Sequence, residues 1–103
     1  MLERFKAFEL AKTFYDQCKT LELPVHAKEQ LNRASLSIGC NLAEGSGKLN
    51  SQKDQLRFYR IAFGSLRECQ CILLFEGADN KQVIKAADEL AACIYKLCQS
   101  KMK

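Results

Sequence analysis

The chain has 103 residues, 48% of them apolar, with one proline and five glycines. That suffices for one domain with its own core and excludes a disordered tail. Sixteen Lys and Arg against twelve Asp and Glu leave a formal charge of +4, which admits a polyanionic partner without requiring one. No run approaches the ~18 apolar residues of a membrane span. The opening stretch MLERFKAFELAKTF carries charges throughout and no apolar signal core, so a cytoplasmic protein with no membrane partner is expected.

Periodicity predicts a first helix from Phe5 to Leu21, with Ala7, Phe8, Leu10, Ala11, Phe14, Tyr15, Cys18 and Leu21 on one side. Pro24 then breaks the pattern, because it disfavours helical geometry in the residue before it. A second helix starts near Val25 to Ala27 and passes Leu31, Ala34, Ile38 and Leu42 to reach Gly45. Ser51, with Asp54 three residues on, resembles a capping box that opens a third helix. This helix carries Leu56, Tyr59, Phe63, Leu66 and Leu73 and stops near Gly77. Asp79 or Asn80 caps the fourth, whose Val83, Ala87, Leu90, Ile94 and Leu97 follow a bundle-like spacing. No stretch alternates long enough for a strand. Short connections predict an all-α, antiparallel, up-down-up-down four-helix bundle, a single domain over residues 1–103.

Six cysteines without an export signal read as reduced thiols acting as small apolar side chains. Zinc spacing is poor: Cys69 and Cys71 point about 200° apart on a helix, and His26 has no cysteine close by. The segment LAEGSGKL resembles a phosphate loop only superficially. Leu42 stands at the first glycine position and Leu49 at the hydroxyl, and a helix rather than a strand precedes them. Gly45 and Gly47 are therefore expected to end the second helix. No acid–base pair, nucleophile or metal set emerges, which argues against an enzyme and against any cofactor.

The middle helices carry a second apolar stripe. Leu36, Cys40 and Ala43 lie off the core face of the second helix, and Phe58, Ile61, Ser65 and Ile72 off that of the third. Either the core stripe is wide, or copies of the chain assemble through Leu36, Cys40, Ala43, Phe58, Ile61 and Ile72. Gly39 and Gly64 cost about 1 kcal/mol each inside a helix, and close helix approach would justify that cost. Lys53, Arg57, Arg60 and Arg67 share one strip of the third helix, within about 80° of one another. This strip is either a backbone-binding surface for RNA or DNA, or ordinary charge paired with Glu68 or other acids. No aromatic interleaves with it, so base stacking is not indicated.

The segments EQLNRASLSIGCNLAEGSGK and RFYRIAFGSLRECQ resemble the four-helix bundle family of proteins encoded in intervening sequences of bacterial 23S ribosomal RNA genes. Gln30, Leu31, Arg33, Ala34, Ser37, Ile38, Asn41, Ala43, Glu44 and Gly45 match the first part of the family pattern. Arg57, Phe58, Ile61, Ala62, Gly64, Ser65, Leu66 and Glu68 match the second. Short segments after Pro24 and between the third and fourth helices depart from the pattern, as does Lys48 where arginine is common. The resemblance implies a homopentameric barrel without catalytic activity. It also implies kinship with accessory proteins that act beside the reverse transcriptase of diversity-generating retroelements.

Read physically, Ser37, Asn41, Glu44 and Lys48 flank the core face of the second helix, where Asn and Glu need partners. Arg57 or Arg60 is expected to supply them, so that the motif fixes helix register. The leading functional expectation is a non-enzymatic oligomer that binds nucleic acid electrostatically. The alternative is an interaction scaffold that docks a protein such as a reverse transcriptase.

Overall fold

The computed structural model describes residues 2–102, and its secondary structure there is entirely helical. A short 3-10 turn, Leu2–Arg4, precedes α1 (Lys6–Cys18), α2 (Val25–Ser46), α3 (Gln52–Phe75) and α4 (Lys81–Ser100). Helices α1 and α3 each pack against both α2 and α4, which closes a four-helix bundle. The α2–α3 pairing is the most extensive, in a body of 42 × 22 × 21 Å.

The core is where the periodicity puts it. Phe14, Leu31, Ile38, Leu42, Leu66, Leu90 and Ile94 are completely buried, with Ala7, Ala11, Ala62 and Ala87 between them. Small residues let the helices approach, and the larger ones fill the space. Cys18 and Cys69 are buried too, whereas Cys40 and Cys71 are exposed; only part of the cysteine set behaves as core. Burial pushes the Cys18 thiol up to about 12, with Lys28 pulling the other way. Burial likewise raises Cys69. Both thus stay protonated near neutrality and pack as apolar groups.

Three helix ends follow sequence logic. Ser51 Oγ accepts from the Asp54 amide at 3.1 Å, and Asn80 Oδ1, rather than Asp79, accepts from the Val83 amide at 3.0 Å. At the end of α3, Gly77 adopts φ +65°, a left-handed conformation that glycine takes without penalty. Its amide donates to Leu74 O at 3.2 Å, and the Ala78 amide donates to Leu73 O at 2.9 Å, the paired bonds of a Schellman cap.

Two ends differ. Helix α1 stops at Cys18, not Leu21. Thr20 Oγ1 donates to Gln17 O at 2.7 Å, and the Lys28 ammonium gathers the carbonyls that follow. Lys28 Nζ donates to Lys19 O at 2.8 Å, to Cys18 O at 3.4 Å, and to Leu21 O. A cation from α2 thus caps the negative end of α1 and turns the chain out of the helix. Helix α2 runs through Gly45 to Ser46, and Gly47 caps it as expected, at φ −83°, an ordinary right-handed value. Gly45 is therefore no terminator; its role lies in packing.

Lys28→Met keeps the aliphatic stem and removes the donors. It should lower stability by about 1–2 kcal/mol, a fall of several degrees in Tm, as measured by thermal unfolding.

Candidate nucleic-acid interface

Lys53, Arg57, Arg60 and Arg67 are all exposed along α3. Lys53, Arg57 and Arg60 line one broad depression of about 520 Å³ with Asp54, Leu56 and Ile61. Arg67 stands apart, beside Gln70, Leu74, Ile84 and Asp88 where α3 meets α4. Its guanidinium donates to Gln70 Oε1 at 2.8 Å and lies 4.9 Å from the centre of the Phe63 ring. The Arg57 guanidinium lies 4.4 Å from the centre of the Phe58 ring.

Aromatic rings therefore do accompany the strip, contrary to the expectation from spacing alone. Phe58 and Phe63 point to the flanks of α3, and the long arginine side chains reach over them. The rings hold the guanidinium groups in place through cation–π contact. Lys48 joins this cluster from the end of α2, its Nζ 5.4 Å from the centre of Phe58.

Among the described residues the ion pairs are Lys12–Asp16 at 2.7 Å and Lys48–Glu44 at 3.4 Å. Neither involves the strip, so none of its cations has a carboxylate within 4.0 Å there. Pairing with Glu68 does not occur. Nor do Arg57 and Arg60 serve Asn41 and Glu44, as register-fixing would have required. Asn41 Nδ2 donates instead to Ser37 O at 2.9 Å and Ser37 Oγ at 3.0 Å, and Glu44 takes Lys48. The polar link to α3 is a hydroxyl pair, Ser37 Oγ to Ser65 Oγ at 3.0 Å. Arg33 and Glu68 are exposed, on α2 and α3 respectively.

Gly45 is the close-approach glycine. A Cβ there would lie 2.6 Å from Tyr59 Cε1 and 3.1 Å from Phe58 Cβ. Gly39 and Gly64, where close approach was expected, do not need it within one protomer. At Gly39 the nearest atom is Phe8 Cε1 at 3.9 Å, and at Gly64 nothing lies within 4 Å.

The second apolar stripes occupy separate surfaces. Leu36, Cys40 and Ala43 line a groove of about 250 Å³ against α1, with Phe8, Ala11 and Tyr15. Phe58 sits under Arg57 and Lys48, Ile61 beside the basic depression, and Ile72 packs against the core. Leu36 is 51% and Ile61 43% exposed, so each stripe keeps uncovered apolar area.

Lys28 escaped the sequence reading because its partners are carbonyls at the end of α1, and so did the contact of Lys48 with a ring on α3. A lysine within one turn of a helix boundary was the available signal. The glycines provide a direct check. Gly45→Ala should cost about 1–3 kcal/mol through the Tyr59 clash. Gly64→Ala should gain up to about 1 kcal/mol of protomer stability in urea unfolding, because its surroundings are open.

The residues that join α2 to α3 and those that project from α3 lie within one continuous family match. The chain matches the model of the 23S rRNA-intervening sequence protein family over residues 4–78, from the first turn to the α3–α4 connection. No curated protein matches it significantly. The chain belongs to the 23S rRNA-intervening sequence protein family.

Proposed function

We propose that this protein is a non-enzymatic, homopentameric four-helix bundle that binds the backbone of RNA or DNA through α3. Consecutive helices run antiparallel, a reading supported by the pairing of Gly45 with Tyr59 and of Ser37 with Ser65. The uncovered apolar stripes around Leu36 and Ile61 support assembly into a ring. A bacterial, cytoplasmic setting follows from the family resemblance.

One observation carries the binding reading. Lys53, Arg57, Arg60 and Arg67 stand on one helix without a carboxylate partner among the described residues. Lys53 even occupies the first turn of α3, where the helix dipole disfavours a cation and Asp54 offsets only part of the cost. Stacking on Phe58 and Phe63 preorganises Arg57 and Arg67, so less side-chain entropy is lost when phosphates engage them. Repetition around a ring multiplies the contacts along one strand. The chemistry is counterion release with little base readout.

Binding should therefore fall steeply with salt, with a log–log slope of about −3 to −4 per engaged subunit on duplex DNA. The triple variant Arg57→Glu, Arg60→Glu, Arg67→Glu should lose at least about 100-fold in affinity for a 20-nucleotide RNA, read by fluorescence anisotropy. Its melting curve should stay close to that of the parent, since all three side chains are exposed. Light scattering on the same samples should give a pentamer mass. A folded triple variant that binds RNA as the parent does would remove α3 from consideration.

A further inference from the structure

The far end of α3 carries a surface of opposite character. Phe75 is 86% and Leu74 80% exposed, and Val25 at the start of α2 is 72% exposed. Phe75 is the most exposed large apolar side chain among the described residues. These side chains are displayed on ordered backbone rather than on a fraying end. The Schellman bonds of Gly77 and Ala78 close the helix immediately behind them, and the Asn80 cap starts α4 at once.

Leu74 and Phe75 form a ridge between two depressions. On the α2 side, Phe75 joins Ala27, Cys71 and Ile72 in a depression of about 420 Å³. Its ionisable lining consists of Glu68, Glu76, His26 and Cys71, with no lysine or arginine. On the α4 side, Leu74 meets Leu73, Ala78, Ile84 and Ala87, with Arg67, Gln70 and Asp88 around them. Covering Leu74 and Phe75 would release hydrophobic free energy at both side chains. Nothing in the protomer collects that energy.

Charge decides between occupants. Glu68, Glu76 and Asp88 outnumber Arg67 around the two depressions, so the net charge repels phosphates and neither a nucleic acid nor an anionic membrane suits this end. A cationic partner with an apolar face does. An apolar ridge flanked by two depressions with charged rims fits an amphipathic helix laid across it.

We propose that the α3–α4 end of the bundle docks an amphipathic helix of a partner protein. Phe75 and Leu74 act as apolar anchors, and Glu68 and Glu76 pair with lysines or arginines that flank the partner's apolar stripe. This surface lies at the opposite end of α3 from Lys53 and Arg57, about 30 Å along the helix axis. A partner held there reaches Arg67 but leaves Lys53 and Arg57 open, so the two regions can act at once.

The probe is a fluorescein-labelled helical peptide of leucine and lysine in an amphipathic pattern, with a leucine–glutamate peptide as control. The full-length protein should bind the lysine peptide saturably, in the low-micromolar range, and ignore the glutamate peptide. Leu74→Gln with Phe75→Ser should weaken that binding at least about 10-fold. Glu68→Gln with Glu76→Gln should weaken it and flatten its salt dependence. Both variants should melt like the parent and bind RNA at least as tightly, which separates failure here from failure of the α3 strip. Three results would overturn the proposal: no saturable peptide binding by the parent, equal binding by the Leu74/Phe75 variant, or a smaller particle mass for that variant. The last would mean that a second copy of the chain covers this surface.

Discussion

The seam between α2 and α3 is the constraint on which the rest depends. Gly45 has no Cβ, so the Tyr59 ring and Phe58 Cβ lie directly on α2 at a distance no other residue would permit. Farther along, the Ser37 and Ser65 hydroxyls meet at 3.0 Å, and Asn41 holds Ser37 in place. Ile38 and Leu42 then bury against the face of α3 that carries Tyr59, Ala62 and Leu66. A glycine contact and a hydroxyl pair thus lock α3 in both rotation and register. Turning α3 by one residue, about 100°, would bring charged side chains into the core and put Leu66 into water.

That lock determines the electrostatics. With the motif's polar groups satisfied among themselves, the α3 cations are not consumed in holding the bundle together. Arg57 and Arg67 lean on Phe58 and Phe63 instead, which restrains them without neutralising them. The same helix ends in exposed leucine and phenylalanine beside Glu68 and Glu76. One rigid rod therefore presents a cationic strip from Lys53 to Arg67 and an acidic, apolar region at its end. Rigidity of the rod matters for both, since neither surface has to be ordered when a partner arrives.

Much of this was legible in the residues. Apolar periodicity placed all four helices, and Ser51, Gly77 and Asn80 carried their boundary information locally. The cationic strip was also visible, because helical spacing alone puts Lys53, Arg57, Arg60 and Arg67 on one side. What escaped were contacts between helices. Gly45 looks like a stop signal in the sequence, and only the Tyr59 ring against it reveals a packing role. Helix α1 ends early because Lys28, ten residues beyond Cys18, takes its last carbonyls. Arg57 met the Phe58 ring rather than the expected Asn41 and Glu44, because side-chain length and direction are not encoded in periodicity.

Native-state hydrogen exchange tests the primacy of the α2–α3 seam most directly. The amides of residues 38–45 in α2 and 59–66 in α3 should be the slowest in the molecule. They should lose protection together as urea is raised, as one cooperative unit. Separate opening of the two segments, or protection in α1 and α4 that outlasts both, would contradict the account.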